Sequence, residues 1–296
     1  LAPRPITSAL IADLFIGFQT SFQNGFAGVS PQWGKIATEV TSNTSEENYG
    51  WLGSWPAIRE WLGDRVVEEL AGYDYQLKNR SFETTVKVKK DDIADDRFGI
   101  YSPMFVELGR QVSAFPDVLS FGALAAGRTS KCYDGQNFFD TDHPVQGGVA
   151  ANVDSGGAGA WWYLLSTQRA LKPLIYQNRQ PFAFTALDQE RDEPVFRRKE
   201  FEYGSDGRCN VGYGFWQMAY ASNQALDADH YEAARAAMGA LTDDSGQPLG
   251  IVPDLLVVGT SLEGAGRRLL KRSVQAAGAT NEWEGSADLL VSPYLP

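Results

Sequence analysis

The chain has 296 residues, of which 43% are apolar and 21% charged, and a formal net charge of −11. That length and composition give a globular chain with room for a sizeable core and argue against disorder. No apolar run approaches the ~20 residues of a membrane span, and the acidic balance disfavours a dedicated nucleic-acid binder, which normally shows a basic face.

The first predicted element is a helix. Ile6, Leu10, Leu14, Phe18, Phe22 and Phe26 recur every four residues, which keeps them near one helical face. Thr7 or Ser8 caps its start, and Gly25 and Gly28 end it. Such a stripe suits either a core-facing helix or an arm that packs outside its own domain. Asp13 breaks the apolar run a signal peptide would need, so none is expected.

TSNTSEEN (41–48) is a polar loop. YGWLGSWPAIREWLGDR (49–65) follows, with three tryptophans among Gly50, Gly53, Pro56 and Gly63. Pro56 opens a helix of about two turns, too short to stand alone. Alternation through Tyr73, Tyr75 and Leu77, and again through Phe82, Thr84, Val86 and Val88, predicts two strands with one apolar face. A turn at Asn79, Arg80 and Ser81 makes them a hairpin, and a tip nearer Ala71 and Gly72 also fits. Such a hairpin is marginal in water, so its apolar face needs cover.

After the acidic DDIADDRFG (91–99), a long helix is predicted from Ser102 to Ala126. Pro103 suits its first turn, Gly127 ends it, and Pro116 should kink or interrupt it. VQGGVAANVDSGGAGA (145–160) has five glycines and reads as a flexible loop or linker. Residues 161–187 look strand-rich, and VFRRKEFEYG and VGYGFWQMAYAS give two more strands. ADHYEAARAAMGAL (228–241) predicts a helix with Tyr231, Ala234, Met238 and Leu241 on one face. LLVVG (255–259), SLEGAGRRLLKRS (261–273) and DLLVSP (288–293) then read strand, helix, strand. They form an α/β unit, with a subdomain boundary near residue 223.

KCYDGQNFFDTDHPV (131–145) holds one of two cysteines, Cys132, and one of two histidines, His143, with Asp134, Asp140 and Asp142 around them. A thiol nucleophile needs a base within reach, and Cys132 and His143 could supply the pair. The plainer reading is a folded loop, turned by Asp134-Gly135 and anchored by Phe138-Phe139. Zinc needs about four ligands, and Cys209 and His230 are distant in sequence. The two cysteines do not make a disulfide scaffold, and a reducing cytosol is the expected compartment.

Other motifs fail on their own terms. GTSLEGAG (259–266) has the glycine spacing of a phosphate loop but lacks its lysine. Gly212-x-Gly214 lacks the third glycine of a dinucleotide fingerprint. The basic runs RRKE (197–200) and RRLLKR (267–272) read as solvated faces, and the sequons at Asn43 and Asn79 as chance matches. No catalytic, cofactor-binding or metal-binding residue is assigned, and no cofactor is implied.

YGWLGSWPAIREWLGDR, NRSFETTVKVKKDDIADDRFGIYSPMFVELGR, CYDGQNFFDTDHPV, RALKPLIYQ, GYGFWQMA and the final LLVSPYLP resemble, in that order, the major head subunits of Mu-like phages and prophages. The resemblance spans nearly the whole chain. It implies an α+β capsid subunit of the Hong Kong 97-type fold. Residues 1–64 would be an N-terminal arm and short helix, 65–90 an extended E-loop hairpin, and 91–128 the spine-helix region of the peripheral domain. Residues 129–224 would supply a loop and the peripheral strands, and 225–296 the axial α/β subdomain.

The same resemblance implies a structural protein, not an enzyme. It would self-assemble as hexamers and pentamers into an icosahedral head enclosing double-stranded DNA by weak, non-specific contact. Portal, scaffold and protease would be its assembly partners, with no membrane partner. The virion capsid would be its location, after assembly in the host cytoplasm. Some capsids of this fold crosslink Lys to Asn. Lys78, Lys87, Lys89 and Lys90 lie on the predicted hairpin, but no acceptor motif matches, so that chemistry is not carried over. The alternatives are an encapsulin-like non-viral shell protein and, from another class, a cytosolic thiol hydrolase using Cys132 and His143.

Overall fold

The computed structural model describes residues 6–50, 52, 74–95, 98–145, 147–189, 191–243, 246–274 and 278–295. The short helix expected at Pro56 and the alternative hairpin tip at Ala71 and Gly72 lie outside the described residues.

Helix α1, Ser8–Ala27, starts where expected, with Thr7 Oγ1 accepting the Leu10 N–H at 3.2 Å. Leu10, Leu14, Phe18 and Phe22 of the stripe are buried, joined by Ile11, while Phe26 stays 41% exposed. The chain then forms β1 (Ala37–Thr41), β2 (Glu46–Asn48), β3 (Gln76–Lys78), β4 (Arg80–Lys89) and the short α2 (Lys90–Ala94). Helix α3 runs unbroken over Ser102–Ala126. The interruption expected at Pro116 does not occur, because a proline removes one donor but need not end a helix held by packing on both sides of it. One turn holds a tether: the Asp117 carboxylate accepts the Gln32 N–H at 2.8 Å and the Trp33 N–H at 2.6 Å.

The stripe on α1 packs inside its own chain. Phe18 stacks on Phe105 at 4.3 Å and meets Tyr203 edge-on at 5.2 Å. The stripe thus takes the core-facing role within the chain, while Ile16 on the opposite side of the helix stays exposed.

The expected hairpin turn at Asn79–Ser81 is also corrected. β3 pairs antiparallel with β2, and β4 pairs antiparallel with a later strand, β10. The chain passes from β3 to β4 without reversing. Asn79, expected to turn the chain, is buried instead: its amide donates to Ser42 Oγ at 2.9 Å and the Thr44 carbonyl at 3.0 Å. Alternation along β4 is as read, with Phe82, Thr84, Val86 and Val88 more buried than the residues between them.

Beyond α3 come β5 (His143–Val145), β6 (Gly148–Ala150), β7 (Val153–Asp154), β8 (Trp162–Leu165), β9 (Leu174–Leu187), α4 (Glu193–Arg198), β10 (Glu200–Tyr213) and β11 (Ala219–Ser222). The glycine-rich 145–160 is thus built structure, since β5 and β6 form a hairpin and β7 joins a sheet. The strand expected from Val195 begins as helix α4, which ends at Lys199 in the left-handed region (φ 56°). The last elements are α5 (Ala228–Gly239), β12 (Leu255–Gly259), α6 (Glu263–Lys271) and β13 (Asp288–Ser292).

Two main sheets result, in the strand orders β1-β9-β10-β4 and β13-β12-β8-β11-β7. β12 runs parallel to β13 and antiparallel to β8. The division expected near residue 223 therefore crosses a sheet rather than a gap: β12 pairs with β8, which joins it and β13 to β11 and β7. β8 is buried on both faces, so its apolar run shows no alternation. Trp162 and Leu164 face α5 and α6 with Leu256 and Val258. Tyr163 and Leu165 face the core shared with α3 and the first sheet.

Candidate functional site

Cys132 and His143 fall in one closed network after α3. Gly135 takes a φ of 85° and its N–H reaches the Cys132 carbonyl at 3.2 Å, so Asp134-Gly135 turns the chain as expected. Phe138 and Phe139 are buried, with Phe138 stacked on Tyr213 at 4.6 Å. Gly127, at the end of α3, leaves room for both rings.

Asp134 lies between the thiol and the imidazole. Its Oδ1 accepts the Cys132 thiol at 3.1 Å and the Gln136 N–H at 3.0 Å. Its Oδ2 meets His143 Nδ1 at 2.7 Å. His143 is fully buried and stacks on Trp216 with ring centroids 4.0 Å apart. Its Nε2 faces Asn152 Oδ1 at 3.2 Å. The Asn152 amide group donates to the carbonyls of Phe138, Trp216 and Ala219 at 2.8, 3.2 and 3.2 Å, and its oxygen accepts the Asp140 N–H at 2.9 Å. Those four bonds fix which way the amide points. Both imidazole nitrogens therefore face oxygen atoms that can accept a hydrogen bond.

This order is wrong for nucleophilic catalysis. A thiol is activated when imidazole lies between it and the carboxylate; here the carboxylate lies between thiol and imidazole. Burial pushes the Cys132 thiol well up, and the charge of Asp134 and its bond to the thiol push the same way. Burial also pushes the Asp134 carboxyl up, but the hydrogen bonds from His143 and Cys132 outweigh it and leave the group below its ordinary value. With Cys132 only 4% exposed and His143 at 0%, neither meets a substrate from solvent.

Cys132, Asp134 and His143 place three donor atoms within 4.8 Å of one another. That is one short of a structural zinc set, and the three groups are hydrogen-bonded to one another. The network holds together β5, the turn at Gly135, and the segment between β10 and β11. Asn152 and Trp216 are its parts that sequence reasoning missed, because they lie in segments that read as a linker and a strand.

The remaining motifs have structural roles. At the junction of β12 and α6, Gly266 faces Leu289, whose side chain a Cβ would strike at 2.7 Å; that glycine serves helix-on-sheet packing. Lys87 on β4 pairs with Glu200 at 3.3 Å. Among the described residues no helix is long and apolar enough to cross a membrane.

Residues 11–295 match the family model described as the Mu-like prophage major head subunit gpT. The chain is 40% identical to the Mu-like prophage FluMu major head subunit of Haemophilus influenzae, across 98% of this chain and 99% of that protein. It is 39% identical to the major capsid protein of Escherichia phage Mu, over the same shares. Among solved structures, a subunit of the bacteriophage JBD30 procapsid superposes with a TM-score of 0.85 at 43% identity, covering 98% of this chain and all of that one. A subunit of the JBD30 capsid gives 0.81 at 32% identity, covering 98% and 99%. The α+β capsid fold expected of the chain is the one these structures have. Matching them from end to end, the chain belongs to the family of Mu-like major head subunits and is a structural capsid protein.

Proposed function

We propose that copies of this chain close into an icosahedral head of hexamers and pentamers that encloses double-stranded DNA by weak, non-specific contact. The part of 65–90 that precedes β3 reaches across to neighbouring copies as the E-loop, while β3 and β4 stay in the subunit's own sheets; 91–128 form the spine, and 129–224 the peripheral region. Residues 225–296 form the axial region, completed by β7, β8 and β11. Portal, scaffold and protease join during assembly in the host cytoplasm.

The observation that carries this reading is the full-length likeness to a subunit of the JBD30 procapsid. The surface supports it. Phe196 is 82% exposed, and Ile100 and Ile16 are also largely open, apolar side chains that contact with neighbouring copies would cover. Modest contacts repeated around a closed lattice add up through multivalency.

Overexpressed chain, separated on a sucrose gradient and viewed in negative stain, should yield closed shells or ring-shaped capsomers. A folded protein that stays monomeric at every concentration would overturn the reading.

A further inference from the structure

The chain has 37 acidic against 26 basic residues, so its copies repel one another unless the surfaces that meet are locally complementary. Such complementarity needs a local concentration of the minority sign. The stretch 267–272 puts four basic residues in six.

Helix α6 buries Gly266, Leu269 and Leu270 and leaves those basic residues exposed. Arg267 is taken by Glu263 at 2.7 Å, and Lys271 meets Asp288 at 3.6 Å. Arg268 and Arg272 are within ion-pair distance of no carboxylate among the described residues.

Helix α5 presents the opposite sign. It buries Tyr231, Ala234 and Met238 and exposes Asp229 and Glu232, neither with a cation partner among the described residues. The helix dipole accounts for an acid at Asp229, in the first turn, but not for Glu232 a turn further on. The rest of the exposed face includes Ala233 and Ala236, side chains too short to hold a partner off.

The two helices cover the same face of the five-stranded sheet. α6 packs on β12 and β13, and α5 on β11, toward the other end of the strand order. One layer therefore carries unpaired positive charge at one end and unpaired negative charge at the other. A surface that differs at its two ends joins head to tail, and such a contact closes into a ring when its rotation fits.

We propose that Arg268 on α6 and Arg272 just past its end in one copy meet Asp229 and Glu232 on α5 of the next, and that this contact sets the head-to-tail order of subunits in a ring. The inference rests on the shell-forming reading and names the residues of one interface within it.

The test uses two charge reversals in the full chain, R268E/R272E and D229K/E232K, and their fourfold combination. All positions are exposed, so each variant should keep the wild-type melting temperature. Each reversal alone should cut the yield of shells at least tenfold, and the fourfold variant, complementary again, should recover it. Shells at wild-type yield from R268E/R272E would overturn the inference, as would a folded fourfold variant that stays unassembled. R268E/R272E shells of normal yield that fail to retain DNA would overturn it in favour of a phosphate-facing α6. Failure of the wild type to assemble would overturn the shell-forming reading as well, whereas failure confined to these predictions would strike this interface alone.

Discussion

Gly109 in α3 lies against the backbone carbonyl oxygen of Phe22 in α1, so near that a Cβ at position 109 would overlap it. Gly25 in α1 meets the carbonyl of Val106 in α3 in the same way. These reciprocal contacts let two helices touch backbone to backbone, and they set Phe18 onto Phe105. Gly109→Ala must push the helices apart, and overpacking of this kind costs about 1–3 kcal/mol. Gly17 is the internal control: it is exposed on α1 with nothing within 4 Å of an added Cβ. Gly17→Ala should stabilise by about 0.5–1 kcal/mol, because alanine is the better helix residue. Urea midpoints should move in opposite directions; a shared direction would mean that the crossing has slack.

Asn152 carries more of the fold than its glycine-rich surroundings suggest. Asn152→Ala removes the donor to three carbonyls and the acceptor of the Asp140 N–H. Each buried group left unpaired costs about 1–3 kcal/mol, so the total loss should be about 3 kcal/mol or more. Asn152→Asp should be worse than alanine, since it turns carboxylate oxygen toward those carbonyls. Thermal melts should therefore rank wild type, alanine, aspartate; an aspartate variant as stable as the wild type would remove Asn152 from this role.

Two buried aspartates should respond to pH with opposite signs. Asp134 is pushed up by burial, yet its hydrogen bonds outweigh this and hold it low. Asp117 is pushed up by burial, and the N–H bonds from Trp33 and Gln32 do not offset it. A carboxyl held low adds stability above its unfolded pKa of about 3.9, and that stability is lost as pH falls through the lower folded value. One held high favours the fold when protonated, and that benefit is lost as pH rises from the unfolded value through the raised one. The deficit of Asp134→Asn relative to wild type should thus shrink on acidification. Asp117→Asn keeps an acceptor for the tether without a buried charge, so it should gain on the wild type as pH rises. Denaturant titrations from about pH 3 to pH 7 check both slopes, and parallel curves for either variant would contradict the assignment.

The long helices were legible because their signals are local, whereas the short α4 reads as strand from its sequence. Thr7, the stripe on α1 and the period of α3 all lie within a few turns of the residues they organise. Strand pairing was not, because β4 finds its partner in β10, far downstream, and no turn chemistry near Asn79 announces that. The candidate site was half legible. Asp134-Gly135 and Phe138-Phe139 show their roles by residue type, but the placing of Asp134 between thiol and imidazole is a fact of three dimensions. Asn152 and Trp216 gave no signal, since a lone amide among glycines and an aromatic in a strand-like run have many ordinary uses.

Cys132 and Cys209 are both buried, and burial pushes both thiols up, with Asp134 adding to the effect at Cys132. The thiolate is the reactive form, so neither should be alkylated by iodoacetamide in the folded subunit at neutral pH, and both should react once it is denatured. Cys132→Ala leaves Asp134 its bonds to His143 and the Gln136 N–H. It should cost about 1 kcal/mol and leave shell yield near that of the wild type. A hydrolase would behave otherwise: Cys132 would label rapidly in the native state, and His143→Gln would slow that labelling without unfolding the chain. Absent such a rate, Cys132 and His143 act through Asp134 as a clamp on the chain after α3, where burial first and the Asp134 charge and bond second keep the thiol protonated.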